Sequence, residues 1–153
     1  MRLGEKPLVN EKPKYVFDAT PVIYFAKIGK LNLIPDICEA YITRSVYSEV
    51  SQRDSPPDAL IIKDAVDRGH LKVYDLEDRG SLEVLLRHPE IHIGEAETMA
   101  AAKELKGVAI VDDRKARAIA QIYGIGSEPG TLFILFRLLS LGRFDVDEAG
   151  EIL

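Results

Sequence analysis

The chain has 153 residues, a formal charge of −5 and 46% hydrophobic residues. That length and apolar fraction suit one domain with a sizeable core rather than two. The negative balance excludes nucleic-acid binding through overall positive charge, while leaving room for a local basic rim beside an acidic cleft.

Residues 1–14 mix charges of both signs and contain no apolar run of signal-peptide length, so a flexible arm is expected there, with the folded domain over 15–153. Tyr15-Val16-Phe17 reads as a strand ending at Asp18. Ala19-Thr20-Pro21 then carries a helix start, with Thr20 as N-cap and Pro21 at the first helical position. A buried helix continues to Gly29, and Leu31 to Ile37 reads as a shorter helical piece interrupted near Pro35. Cys38 is the only cysteine. It forms no intrachain disulfide, reads as a small buried hydrophobe, and fits a reducing cytoplasm.

Ala40 to Thr43 is the second expected strand, and Ser45 is the expected cap of a helix in which Glu49 leans toward the apolar Val46 and Val50. Residues 51–58 are turn-rich and suit a mobile flap, with Asp58 capping the amphipathic helix that follows. Leu71 to Tyr74 is a third strand and Gly80 to Arg87 a further helix. The alternation of strand and helix implies one mostly parallel sheet covered on both faces, with ligands beyond the carboxyl ends of its strands. Asp18 and the pair Asp112-Asp113 lie at such ends.

The stretch from Gly94 to Arg117 carries the strongest pattern. Stepping about 100° per residue from Glu95 places Thr98, Met99, Ala102 and Leu105 on its side of a helix, with Glu97 and Glu104 opposite. Glu95 thus faces the core, where a carboxylate needs a cation or donors. Glu97, third after an N-cap at Gly94, has a sufficient structural role in satisfying the helix start. The strand after Gly107 runs into Asp112-Asp113. Its alternation puts Asp112 on the face of Val108 and Ile110, and Asp113 on that of Ala109 and Val111; both faces are apolar, so periodicity does not choose between them. A second helix follows to Tyr123, Gly124-Ile125-Gly126 through Gly130 reads as a turn, and Thr131 to Leu139 as an apolar helix suited to closing the core or to a dimer surface. No segment approaches the roughly 20 apolar residues of a membrane span.

Asp18, Glu49, Glu95 and Asp112-Asp113 form a set of carboxylates without His or Cys, a donor chemistry that suits Mg²⁺ or Mn²⁺. Two such ions activate water and stabilise the leaving oxygen of a phosphodiester. Each acid also has a bland reading, as a strand terminator, helix cap or solvated charge. Arg114, Lys115 and Arg117, with Arg44 and Arg53 from the flap side, are candidates for substrate phosphates, or else solvated charges. Tyr24 and Tyr47 are candidate base-stacking residues, or core. His88 and His92 have zinc-pair spacing, but Pro89 breaks the helix that would align them.

The order Tyr15-Val16-Phe17-Asp18-Ala19-Thr20-Pro21, Ser45-Val46-Tyr47-Ser48-Glu49-Val50, Gly94-Glu95-Ala96-Glu97, Ile110-Val111-Asp112-Asp113-Arg114-Lys115-Ala116-Arg117 and Gly130-Thr131-Leu132 resembles the PIN-domain family. Within it, the chain is similar to the prokaryotic branch with a GEAE helix and a DDRKAR turn, relatives of the VapC-type toxin ribonucleases. The resemblance implies an α/β/α sandwich, a Mg²⁺- or Mn²⁺-dependent endoribonuclease centre, a homodimer, and often a cognate antitoxin protein. It matches Asp18, Glu49 and Glu95 to the first three acidic positions, Asp113 or Asp112 to the fourth, and Thr20 to a hydroxyl supporting the metal site. The commoner pattern has a single fourth aspartate, so the choice between the two stays open. Two other readings compete: a PIN-like module that binds RNA or protein with little turnover, and a haloacid-dehalogenase-like phosphatase with Asp18 as nucleophile. Thr20, where that phosphatase chemistry wants an acid, disfavours the latter.

Overall fold

The computed structural model describes residues 11–52 and 56–143. Most of the arm expected over 1–14, the tip of the expected flap with Arg53, and the segment after Arg143 lie outside the described residues. Five strands, β1 (Lys14–Phe17), β2 (Glu39–Thr43), β3 (Lys72–Tyr74), β4 (Val108–Ile110) and β5 (Gly126–Glu128), form one sheet in the order β3-β2-β1-β4-β5. Every pairing is parallel, with Tyr15 opposite both Ala40 and Val108. The helices are α1 (Ala19–Lys27), α2 (Arg44–Ser51), α3 (Pro56–Asp67), α4 (Gly80–Leu85), α5 (Ile93–Leu105), α6 (Arg114–Ile122) and α7 (Gly130–Ser140). The Pro35 segment forms a 3₁₀ helix, Leu31–Asp36.

Two-residue alternation along the strands builds two cores. Tyr15, Phe17, Ala40, Ile42 and Ile110 point into one, filled by Val22 and Phe25 of α1, Val46 and Val50 of α2, Ile62 of α3, and Ile134 and Leu138 of α7. Val16, Ala109 and Val111 point into the other, against Leu82 and Leu85 of α4, Met99 of α5 and Ile119 of α6. The chain is therefore an α/β/α sandwich. Among the described residues no helix is long and apolar enough to cross a membrane.

Several local expectations are corrected. β1 begins at Lys14, so the domain reaches into the expected arm. Asp18, not Thr20, occupies the N-cap of α1, and Pro21 sits in the first turn, where its missing N–H is also harmless. Thr43 caps α2 by accepting the Val46 N–H at 3.3 Å, which leaves Ser45 free for another partner. Asp58 lies inside the first turn of α3, with Lys27 Nζ 4.0 Å away, rather than ahead of it. The glycine-rich turn before Pro129 contains the edge strand β5, whose short polar sequence carries no strand signal and which owes its form to pairing with β4.

α5 departs most from its expected amphipathic form, since Glu95 through Ala102 are all buried. Its run of alanines lets it lie close against β1 and β4 on one side and α2 and α4 on others. At its end Lys106 takes a left-handed conformation with φ 55°, and the chain turns into β4 through Gly107. A Cβ on Gly107 would fall 2.3 Å from the backbone oxygen of Lys14. Gly107→Ala is expected to cost about 1–3 kcal/mol, because backbone rather than a flexible side chain must move; urea denaturation of the two proteins measures it.

Candidate functional site

Four helices start beside one another at the carboxyl edge of the sheet, and acidic side chains stand at each start. Asp18 leaves β1 and opens α1. Glu95 stands at the third position of α5, where its Oε1 accepts the His92 N–H at 3.0 Å. Asp113 opens α6, its Oδ1 accepting from the backbone N–H groups of Lys115 at 2.8 Å and Ala116 at 3.2 Å. Asp112 is held by the start of α7: the Thr131 N–H donates to Oδ1 at 2.8 Å and the Thr131 hydroxyl to Oδ2 at 2.9 Å. Unpaired N–H groups and the positive dipole end make such positions tolerant of anions.

The acids converge. Asp18 Oδ1 and Glu49 Oε2 lie 3.8 and 3.9 Å from the single point where a Gly94 Cβ would stand. Burial raises the Asp18 pKa to about 6 against a backbone hydrogen bond at Ala19 that lowers it, and Glu95, Glu49 and Asp112 each push it further up. Burial also raises that of Glu95, countered by the His92 N–H, and Asp113 adds both repulsion and a shared hydrogen bond. The strand alternation read from the sequence is seen directly: Asp112 turns toward α7, Asp113 toward α5 and α6. Glu49 is exposed rather than turned into the core, because α2 packs through Val46 and Val50 and leaves Glu49 at the mouth of the cleft. Thr20 is exposed in the first turn of α1.

Glycine makes two of these approaches possible. A Cβ on Gly130 would sit 2.7 Å from Asp112 Oδ1 and 3.1 Å from Pro21 Cγ, so the start of α7 reaches Asp112 only because no side chain intervenes. Gly94 leaves the space between Asp18 and Glu49 open.

Glu97 is a residue whose role the helical wheel missed. Far from facing solvent, it is 6% exposed, and its carboxylate accepts the Ser45 hydroxyl at 2.6 Å and the Ser45 N–H at 3.1 Å. It thereby fastens the first turn of α2 to α5, one turn before Glu49. The N-cap of α5 is His92, not Gly94, so Glu97 is not at the helix start. No periodicity signal identifies a cap supplied across to another helix. Glu104, also placed outward, accepts from the Tyr74 hydroxyl at 2.7 Å and the backbone of Glu77 and Asp78.

The basic candidates divide. Arg117 donates through Nη1 to the backbone oxygens of Val111 and Asp112 at 2.9 and 2.8 Å, beneath the acidic pair. Arg114 and Lys115 are exposed at the start of α6. Arg44 makes a two-pronged ion pair with Asp75 at 3.2 and 3.1 Å. Tyr24 packs edge-on against Phe25 and Tyr47 lies against the first core, each half-buried. His88 Nε2 shares a 2.7 Å hydrogen bond with the Tyr123 hydroxyl, and His92 caps α5.

Among the described residues no three of these side chains already form a closed metal cage. The donor set still fits a hard divalent cation: it is all carboxylate oxygen, most of it is oriented by backbone N–H groups, and Asp18 carries a repulsion that a cation relieves. Mg²⁺ in particular needs only one or two carboxylates and retains water for the rest of its shell.

A parallel sandwich with carboxylates gathered at the carboxyl edge of its sheet defines a class of α/β proteins with an acidic, cation-receptive cleft. A family model described as a PIN domain matches residues 14–153, and the chain belongs to that family. PIN domains are generally nucleases that use divalent metal ions, and they commonly bind RNA and sometimes antitoxins. The crystal structure of PAE2754 from Pyrobaculum aerophilum superposes with a TM-score of 0.65 at 16% identity, over 84% of this chain and 96% of that one, a likeness of fold. Among curated proteins no sequence matches significantly.

The raised Asp18 pKa fixes the sign of a pH effect. The unfolded chain releases this proton near 3.8 and the folded chain near 6, so between those values the folded state holds more protons and stability falls as pH rises. Without metal, the unfolding free energy obtained from urea denaturation is expected to decline across that window by on the order of 2 kcal/mol, and Asp18→Asn to remove most of the slope. Gly94→Ala gives an independent check. Its nearest neighbours at 3.8 Å allow the methyl group, and helix propensity favours Ala by up to about 1 kcal/mol. The variant is therefore expected to melt slightly higher yet bind Mn²⁺ severalfold more weakly by calorimetry.

Proposed function

We propose that the protein is a Mg²⁺- or Mn²⁺-dependent endoribonuclease that hydrolyses RNA phosphodiester bonds. The observation that supports this most is the convergence of Asp18, Glu49, Glu95 and Asp112 on one cleft, with Asp18 pushed to about 6 by burial and by its acidic neighbours. Such repulsion destabilises a fold unless positive charge answers it.

Asp18 and Glu95 are the inner ligands in this reading. Asp112, oriented by Thr131, and Asp113, beside Glu95, complete the set from the β4 end. Glu49 closes the cleft from α2. The chemistry a divalent cation supplies there is activation of water and stabilisation of a leaving oxygen. The residues themselves hold the ion and present the cleft to a phosphate. Thr20 supports the site from the first turn of α1, and Glu97 sets the position of Glu49 through Ser45. Arg114, Lys115, Arg117 and Arg44 are the cations available to RNA, of which Arg44 must leave Asp75 to act.

Membership of the family favours a place in a toxin–antitoxin pair, a homodimer and a cytoplasmic setting. The apolar residues left exposed on α7, Leu132 and Phe136, suit contact with another chain. Asp18→Asn is expected to retain the fold and lower Mn²⁺-dependent cleavage of single-stranded RNA by about two orders of magnitude or more. Undiminished cleavage by the folded variant, measured on a labelled oligonucleotide, would falsify the assignment.

A further inference from the structure

A groove of about 630 Å³ runs beside the acidic cleft, between α6 and the edge strand β5. Arg114, Arg117 and Gln121 line it from the helix, and Gly124, Gly126 and Ser127 from the turn and strand. We propose that this groove is the track along which single-stranded RNA lies next to the scissile phosphate, held by its sugar–phosphate backbone and not by its bases. The proposal rests on the ribonuclease reading and adds where the strand runs and how it is read.

Charge is the first ground. In a chain of net charge −5 the groove presents two guanidinium groups and no carboxylate among its lining residues. Arg114 makes no ion pair or side-chain hydrogen bond among the described residues, so its charge is uncommitted. Arg117 is pinned by its bonds to the Val111 and Asp112 oxygens, which fixes a cation at the junction of groove and acidic cleft. Phosphates leaving an acid-rich metal site meet fixed positive charge in this direction, whereas on the α2 side Arg44 is already held by Asp75.

The second ground is the opposite wall. Among the described residues β5 lies at the edge of the sheet and pairs only with β4, leaving one side of its backbone without a strand partner there. Gly124, at φ +69°, has nothing within 4 Å of its Cβ position, so a phosphate can approach the main chain closely there. Main-chain N–H groups and arginines are the usual phosphate partners.

The third ground is what the lining lacks. No aromatic ring is among the groove's residues, so there is no stacking platform of the kind that holds bases in single-strand binders. Recognition through backbone alone is tolerant of sequence.

Fluorescence anisotropy of short oligouridylate and oligoadenylate, in EDTA so that no cleavage occurs, tests the groove separately from the nuclease assignment. Arg114→Glu places an acid at the first position of α6, where the helix dipole favours it, so folding is preserved. It is expected to weaken both RNAs about equally, by about tenfold, and to flatten the salt dependence by about 0.7 or more per lost contact. Gln121→Lys, exposed in the last turn, is expected to tighten both and steepen that dependence, while Lys63→Glu on α3 changes neither. Wild-type affinity in both groove variants would overturn the proposal, as would a large preference for one base. So would Arg114-dependent binding of an acidic oligopeptide combined with Arg114-independent binding of RNA, which assigns the groove to a protein partner. Loss of cleavage in Asp18→Asn with groove binding intact keeps the two conclusions apart.

Discussion

Carboxylates at the carboxyl edge of a parallel sheet repel one another, and the rest of the architecture is an arrangement for tolerating that repulsion. Asp18 bears most of it, being half-buried and facing three other acids. Four of the acids are placed where backbone N–H groups emerge. Asp18 opens α1, Glu95 closes on the start of α5, Asp113 caps α6 and Asp112 meets the start of α7. Parallel topology makes this possible, because every strand leads into a helix whose positive end points to the same edge. Helix dipoles offset part of the charge, and the remainder is the attraction available to a divalent cation.

The clamps around the acids are as informative as the acids. Glu97 ties α2 to α5 through both polar groups of Ser45, and Thr131 grips both oxygens of Asp112. Both are buried or half-buried contacts between elements distant in sequence. They fix the separation of α2 and α7 from α5 and β4, which decides whether Glu49 and Asp112 reach the cleft. Gly130 and Gly94 act by omission, since a side chain at the first would collide with Asp112 and one at the second would fill the gap between Asp18 and Glu49.

The basic residues show the same division between structure and function. Arg117 serves the fold by bonding the β4 carbonyl end, and this leaves its charge in one place. Arg114 has no such task. A cation fixed at the cleft and a second one free along the groove give an acidic protein a local surface suited to polyanions, which its net charge of −5 conceals.

The sequence by itself determined the fold class and named the acids proposed for the cleft. Alternating apolar strands and helices dictate a covered parallel sheet, and strand-end aspartates must then lie at its carboxyl edge. It also determined that Asp112 and Asp113 point to opposite faces, since strand period alone requires it. Other features depended on contacts between distant segments. Glu97 read as a surface cap because a helical wheel assumes one buried face, whereas α5 is enclosed on several sides. Gly126–Glu128 read as a turn because three polar residues carry no strand signal until β4 supplies a partner. Which face each aspartate serves was decided by where α7 and α5 lie against the sheet. Local pattern records the preference of a segment for a conformation; it does not record which neighbour will satisfy a buried charge, and that is set only when the chain closes on itself.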